Sequence, residues 1–374
     1  MKYFTKTLGI SGRLRQRIED FKVEEIPIDL PEGDEYTIFW MEKFNSDTNR
    51  ALKVISDNLH VGVKRLSVAG TKDKRAVTRQ RVSAWKIPAE ELERINLKYI
   101  KVSDFSYSSG RLKLGDSKGN AFVIIIRDLD IEKKELEKRI KSLIDEMKDG
   151  VPNYFGVQRF GEVRPITHLV GKAMLKGDFE EAIKIYIANV YPKEPDDAKE
   201  ARTFLTENWN HDGFKKGLKM FPMRLRYERN VLDYLVKHPV DFVGALRRFP
   251  RNIMKMFVNA YQSYIFNEVV QSYIEKGLKT VPLIGFDTTL GKNDQLIKEL
   301  LKREEIKLEY FILKSMPELS CTGSERKTLL NVKDLKLIEI GEDEFNEGKL
   351  YAKISFALPP GSYATVILKE MMKD

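Results

Sequence analysis

The sequence predicts an α+β protein of two domains, one of them split by the other, and three observations carry that prediction. The chain has 374 residues, more than a single hydrophobic core usually serves, so two domains are expected. Strand patterns dominate the first part with few helices between them, which favours a mixed or antiparallel sheet with helices on one face. From about Val163 helical patterns take over, and strands return only from Leu335. The simplest topology for that order is a mainly helical domain inserted into an α+β domain whose last strands come from the C-terminal part of the chain.

In chain order, Phe21 to Pro27 alternates as an early strand ending at the proline, and Tyr36 to Met41 is a second. Ser46 and Asp47 are helix-capping residues, and Ala51, Leu52, Ile55 and Leu59 follow at helical spacing, predicting a helix that ends near Gly62. Leu66, Val68 and Ala69 form a short strand, Gly70 a turn, and Arg81 to Ile87 another strand. Phe105 to Leu114 and Ala121 to Leu129 predict a strand pair joined by Gly115 to Asn120. The run Phe122 to Ile126 is apolar throughout, as an interior strand requires. Ile131 to Lys148 is an amphipathic helix, with Leu136, Ile140, Leu143, Ile144 and Met147 on one side. Helices are then expected over Leu169 to Leu175, Phe179 to Tyr191, Asn230 to Leu235 and Ile253 to Ile274, with a polar break at Lys193 to Asp197. Leu329 to Ile340 reads as a helix-to-strand unit, Leu350 to Phe356 as a strand and Thr365 to Met372 as a final helix.

The 65 basic and 56 acidic residues leave a formal charge of +9, which suits an anionic partner. The excess is uneven. Between Asn58 and Ala89 the only acid is Asp73, among Lys64, Arg65, Lys72, Lys74, Arg75, Arg79, Arg81 and Lys86. Such a run is often a solvated surface. Here it is interrupted by strand patterns, so Thr71 to Arg75 falls on a loop presented by a scaffold. Neighbouring cations favour the charged form of a lone carboxylate, which suits a nucleophile or a charge-orienting group and not a general acid.

One cysteine, Cys321, excludes an intrachain disulfide and multi-cysteine metal sites, and the four histidines are scattered singly, so no metal is expected. There is no GxxxxGK[ST] loop, strand-coupled GxGxxG or HExxH, hence no expected nucleotide cofactor and no cofactor of any kind. No apolar run approaches the roughly 18 to 20 residues that cross a bilayer, and Met1 to Arg17 lacks a signal-like apolar core. No membrane association and a cytoplasmic location are expected.

At Gly70-Thr71-Lys72-Asp73-Lys74-Arg75-Ala76-Val77-Thr78 the chain resembles the TruD family of tRNA pseudouridine synthases. Four further segments match in the family's order: Asp20 to Glu25, Lys118 to Phe122, Pro152 to Gly161 and Leu358 to Thr365. Together they span almost the whole chain. The resemblance implies a V-shaped molecule, with a pseudouridine synthase catalytic domain over residues 1–160 and 321–374 and the family's inserted domain over 161–320. It further implies isomerisation of uridine to pseudouridine, at position 13 of tRNA, without a metal or redox cofactor; a monomer is expected. Asp73 falls on the family's catalytic aspartate. That carboxylate serves either by attacking C1′ or by abstracting the 2′ proton to give a glycal, and the sequence does not separate these routes.

The remaining expectations follow from the same resemblance. Arg15, six residues before Phe21, matches the basic partner of the aspartate; bacterial members carry lysine there, and an arginine can pair with the carboxylate bidentately. It is otherwise an ordinary basic residue beside Arg13 and Arg17. Phe122 matches the aromatic that packs on the target base, or is a core residue, or both. Asn120 bonds the active-site loop or the uracil edge, or simply forms a turn after Gly119. Phe21, Glu25 and Lys72 are expected to support the substrate pocket. Asn153, Phe155, Gln158 and Arg159 either line the cleft or fix the domain junction. In the insert, Lys215, Lys216, Lys219, Arg224, Arg226, Arg229, Arg247, Arg248, Arg251 and Lys255 offer phosphate contacts to tRNA or solvated helix faces. A non-catalytic RNA-binding or RNA-folding protein is the competing class. Asp73 argues against it, since a binder has no use for one acid inside a basic run. An enzyme for small anionic substrates lacks a phosphate loop.

Overall fold

A strand-rich stretch opens the chain, in a computed structural model that describes residues 3–373. It runs β1 (Arg13–Leu14), β2 (Phe21–Pro27), β3 (Tyr36–Phe44), α1 (Thr48–Asn58), β4 (Leu66–Val68), β5 (Val77–Trp85), α2 (Ala89–Glu93), β6 (Ile100–Ser108), β7 (Ser117–Leu129), α3 (Lys133–Met147) and β8 (Val151–Pro152). A helical stretch follows: α4 (Thr167–Lys176), α5 (Phe179–Ile187), α6 (Asp196–Glu207), α7 (His211–Met220), α8 (Arg226–Lys237), α9 (Phe242–Leu246), α10 (Arg251–Glu275), β9 (Thr280–Leu283), α11 (Gln295–Arg303), β10 (Ser324–Lys327) and β11 (Leu329–Leu330). The chain ends with β12 (Lys333–Glu342), β13 (Leu350–Leu358) and α12 (Ala364–Met372). By its internal contacts it forms two compact units, residues 3–151 with 330–373, and residues 152–329. Among the described residues no helix is long and apolar enough to cross a membrane.

The discontinuous unit holds one mixed sheet in the order β12-β13-β7-β2-β5-β3-β6, with β1 beside β7 and β4 beside β5. Among the described residues of this sheet, only β2 and β5 pair in parallel. The apolar β7 lies in the interior, between β13 and β2. It does not pair with β6, contrary to the expected strand pair. Both edges of β7 are taken by β2 and β13, and β6, mostly exposed along its length, pairs only with β3 at the far margin. The expected helix between Leu329 and the next strand is likewise absent, since β11 and β12 occupy that segment.

Alternation buries one face of the sheet. Phe21, Val23 and Glu25 of β2, Phe39, Met41 and Lys43 of β3, Thr78, Gln80 and Val82 of β5, and Phe122, Ile124 and Ile126 of β7 all turn inward. α1, capped by Asp47 accepting the Arg50 N–H at 2.9 Å, lays Ala51, Leu52 and Ile55 into the cluster formed by Phe39, Met41 and Val82. Buried Arg127 of β7 joins Asp20 (2.9 Å), Asp343 (3.0 Å) and Glu344 (2.9 Å), tying the entry to β2 to the β12–β13 turn. Gly119 allows β7 and β13 to approach. A Cβ there would stand 2.2 Å from the Leu358 carbonyl oxygen, and its φ is +148°.

In the helical unit α10 is buried on several sides, through Phe257, Val258, Tyr261, Ile265, Phe266, Val269 and Tyr273. It packs against α4 at Gly171, where a Cβ would meet the Phe257 carbonyl at 2.1 Å. Buried Arg202 pairs with Glu194 at 2.9 Å and Glu228 at 2.8 Å and joins the loop before α6 to α8. The helices α6, α7, α9 and α11 were not expected from the sequence.

Candidate active site

Asp73 lies in the loop between β4 and β5, and buried polar side chains hold that loop from three elements. Gln80 of β5 donates through Nε2 to the Gly70 carbonyl at 2.9 Å. Thr48, the first residue of α1, accepts the Lys72 N–H at 3.0 Å and donates to Gln80 Oε1 at 3.1 Å. Lys43 of β3 donates to the main-chain carbonyls of Asp73 at 2.7 Å and Ser46 at 2.6 Å. Asn45 N–H closes the loop onto the Ala76 carbonyl at 3.1 Å. All of these bonds except that between Thr48 and Gln80 satisfy a backbone group, and the Thr48–Gln80 bond orients the two side chains that do so.

So anchored, the loop presents the Asp73 carboxylate at 37% exposure, with Oδ1 accepting from Arg15 Nη2 at 3.0 Å. This is a single contact and not the fork expected of an arginine. The guanidinium also lies over the Phe21 ring, 4.1 Å from its centroid. Arg15 has a left-handed backbone, φ +56°, which is costly for a residue with a Cβ. Arg75 Nη2 donates to its carbonyl at 2.7 Å and braces it. The Phe21 ring meets Phe122 edge-on at 6.3 Å, and Phe122 stacks on Phe356 at 5.1 Å. A carboxylate, a guanidinium and three aromatic rings therefore form one continuous series.

Glu25, fully buried, lies two residues beyond Val23 on the same face. Its Oε1 accepts the Arg81 N–H at 3.3 Å, and Lys72 Nζ stands 2.9 Å from its Oε2, itself nearly buried. The charge of Lys72 is thus paired with buried Glu25. Asn120 is opposite Glu25 in the β2–β7 register and opposite Leu358 in β13. Its Oδ1 is buried and makes no hydrogen bond among the described residues, an unmet acceptor on the face that carries Phe122.

Asn153, Phe155, Gln158 and Arg159 belong to the other compact unit. Asn153 donates to the Lys327 carbonyl at 3.0 Å and accepts from Arg326 at 2.6 Å. Phe155 packs edge-on against Phe266 of α10, and Asn267 bonds its N–H at 2.8 Å. Arg159 Nε donates to Ser263 Oγ at 3.0 Å, while Gln158 sits exposed on a single turn. In the helical unit, Arg229 donates to the carbonyls of Leu218 and Phe221, both at 2.7 Å, and so is committed to the fold, while Arg224 pairs with Asp197 at the surface and stays exposed. Lys215, Lys216, Lys219, Arg226 and Lys255 are exposed.

Most cations of the run around Asp73 serve the fold. Besides Lys72 and Arg75, Arg79 pairs with Glu24 at 2.9 Å and Asp104 at 2.7 Å, Arg65 donates to the Trp85 carbonyl at 2.9 Å, and Arg81 donates to that of Ile28. Lys64 and Lys74 are exposed and make no ion pair among the described residues. Sequence reasoning missed Lys43, Thr48, Gln80 and Phe356. The signal for Lys43 was present, because it shares strand parity with Phe39 and Met41 and so had to point inward. Burial pushes its ammonium down to about 8, against the opposing pull of Asp73 and Asp47. Among the described residues no three His, Cys, Asp or Glu side chains gather as a metal site requires.

A family model described as tRNA pseudouridine synthase D (TruD) matches residues 1–281 and 278–371. A Methanosarcina mazei protein named "Probable tRNA pseudouridine synthase D" is 39% identical, over 99% of this chain and 95% of its own. One of the same name from Methanopyrus kandleri is 39% identical over 90% of this chain and 85% of its own. The fold matches a crystal structure described as the "Putative tRNA pseudouridine synthase D (TruD) from Methanosarcina mazei" with a TM-score of 0.82 and 38% identity, covering 100% of this chain and 96% of that one.

Proposed function

The chain belongs to the tRNA pseudouridine synthase D family, and on that premise we propose that it isomerises uridine to pseudouridine in tRNA, at position 13, with Asp73 as the catalytic residue. The observation that carries this reading is the Asp73 carboxylate, fixed by Arg15 at 3.0 Å on a loop braced by three buried side chains. We assign the catalytic domain to the discontinuous unit and the family's insertion to the helical unit, whose bounds, 152–329, are wider at both ends than the 161–320 expected from the sequence.

The reaction breaks the N1–C1′ bond, turns the uracil and joins C5 to C1′; C5 loses its proton and N1 gains one. A carboxylate has two ways to start it, by attack on C1′ or by removal of the 2′ proton, and both need its lone pairs aimed at the ribose. Arg15 supplies that aim and stabilises the negative charge between encounters. A uridine reaching Asp73 has left its stack, and Phe122 is the ring assigned to receive the base, which requires uncovering a side chain that is 5% exposed between Phe21 and Phe356. The Asn120 oxygen, buried and without a partner among the described residues, is the acceptor assigned to the uracil N3–H, and reaching it requires the side chain to turn out of its buried place. Exposed Lys64 and Lys74 in the catalytic unit and Lys215, Lys216 and Lys219 in the insert take tRNA phosphates.

The test is incubation with unmodified tRNA transcripts, followed by mapping of pseudouridine through carbodiimide adduct stops. Product at position 13 supports the reading in full. Product elsewhere in tRNA removes the positional part, and none in any tRNA removes the function.

A further inference from the structure

We propose that Lys43 is a positioning residue of this active site: its ammonium grips the main-chain carbonyl of Asp73 and so fixes the direction in which the carboxylate points. The inference rests on the reading of Asp73 as the catalytic residue, and extends it to a residue two elements away.

Lys43 is fully buried, a place lysine seldom occupies without a carboxylate partner. Its contacts are three main-chain carbonyls: Ser46 at 2.6 Å, Asp73 at 2.7 Å and, more weakly, Lys72 at 3.5 Å. Two of the three belong to the loop that carries the catalytic acid, and the third to the turn that starts α1. A tie between those segments does not require a charge, since the neutral amide of Gln80 already holds the Gly70 carbonyl at 2.9 Å. A charge at this point does two further things. It strengthens the grip on the Asp73 carbonyl, and it attracts the Asp73 carboxylate through low-dielectric surroundings. The side chain of Asp73 is then set by two cations acting on different atoms, Arg15 on Oδ1 and Lys43 on the carbonyl behind it.

The arrangement has a pH consequence. The charged groups facing Lys43 are Asp73 and Lys72 from the loop and Asp47 from the α1 cap; burial outweighs their combined pull and lowers its pKa to about 8. Above that pH the neutral amine loses one donor and its charge, so turnover falls on the alkaline side.

The experiment compares wild type, Lys43→Met, Lys43→Gln and Asp73→Asn with unmodified tRNA transcript, reading single-turnover rate, tRNA Kd, thermal midpoint and the pH profile from 6 to 10. A misplaced reacting group typically costs on the order of 100-fold in rate, and that loss is expected of Lys43→Met with unchanged tRNA Kd. Lys43→Gln, which keeps an N–H donor without the charge, should fall between and lack the alkaline decline near pH 8. Wild-type rate and profile in Lys43→Met overturn the proposal. So does a loss of rate that tracks a lower thermal midpoint and weaker tRNA binding in both Lys43 variants, which marks a scaffold role only. In either case product from wild type and none from Asp73→Asn leaves the proposed function standing. Absence of product from wild type removes that function and the Lys43 proposal with it.

Discussion

Replacing Arg15 with methionine isolates the contact that aims Asp73. The variant loses the 3.0 Å Nη2–Oδ1 hydrogen bond and the guanidinium that sits 4.1 Å from the Phe21 centroid. The left-handed backbone at φ +56° costs methionine what it costs arginine, so that term cancels. With Asp73 at 37% exposure the pair adds little to folding; together with the stacking it contributes about 1–2 kcal/mol of stability. A hydrogen bond to a charged group is worth about 1.5–3 kcal/mol when it holds a reacting geometry, which converts to roughly 10- to 100-fold in rate. Arg15→Met should therefore lower the single-turnover rate by about that factor, with a small shift in thermal midpoint and unchanged tRNA affinity. Arg15→Lys keeps a cation without the plane that lies over Phe21, and should recover part of the rate. A Met variant that turns over within about threefold of wild type would refute the reasoning, because the contact would then contribute almost none of the expected energy.

Three other outcomes follow from the geometry. Gly119→Ala forces a Cβ to 2.2 Å from the Leu358 carbonyl and should destabilise the protein by about 2–4 kcal/mol in denaturant melts; a wild-type midpoint would contradict the β7–β13 approach. Arg127→Met leaves buried Asp20 and Asp343 without their cation and should cost about 3–5 kcal/mol, read in the same melts. Phe122→Leu keeps an apolar side chain between Phe21 and Phe356 but removes the flat ring, so turnover should drop more than stability; equal tRNA affinity with wild-type turnover would assign Phe122 to the core alone.

What was legible in the chain was whatever depends on local pattern. β2 ends at Pro27, α1 starts after Asp47 and α3 follows its apolar stripe, each as alternation, capping chemistry and 3.6-residue spacing dictate. The apolar run of β7 announced an interior strand. It could not say which strands flank it, because pairing with β2 and β13 is decided by segments far apart in the chain. The helices α6 and α7 were hidden by short, mostly polar turns, and their stability comes from packing. For the site, Asp73 stood out as the exception among cations. The use made of those cations was not visible: Lys72, Arg75, Arg79 and Arg81 serve carboxylates and carbonyls that only the folded sheet brings near. Lys43 shows the converse, a residue that strand parity alone places inside but whose partner loop leads into the neighbouring strand β5.

The central claim is that one carboxylate, held by Arg15 and a braced loop, performs the isomerisation. It is tested most directly by Asp73→Asn, which keeps the size of the side chain and removes its charge, assayed for pseudouridine in tRNA alongside binding and thermal midpoint. Asp73→Asn is expected to give no detectable product, with tRNA affinity and folding like wild type. Pseudouridine formed by the variant at the wild-type rate would contradict it.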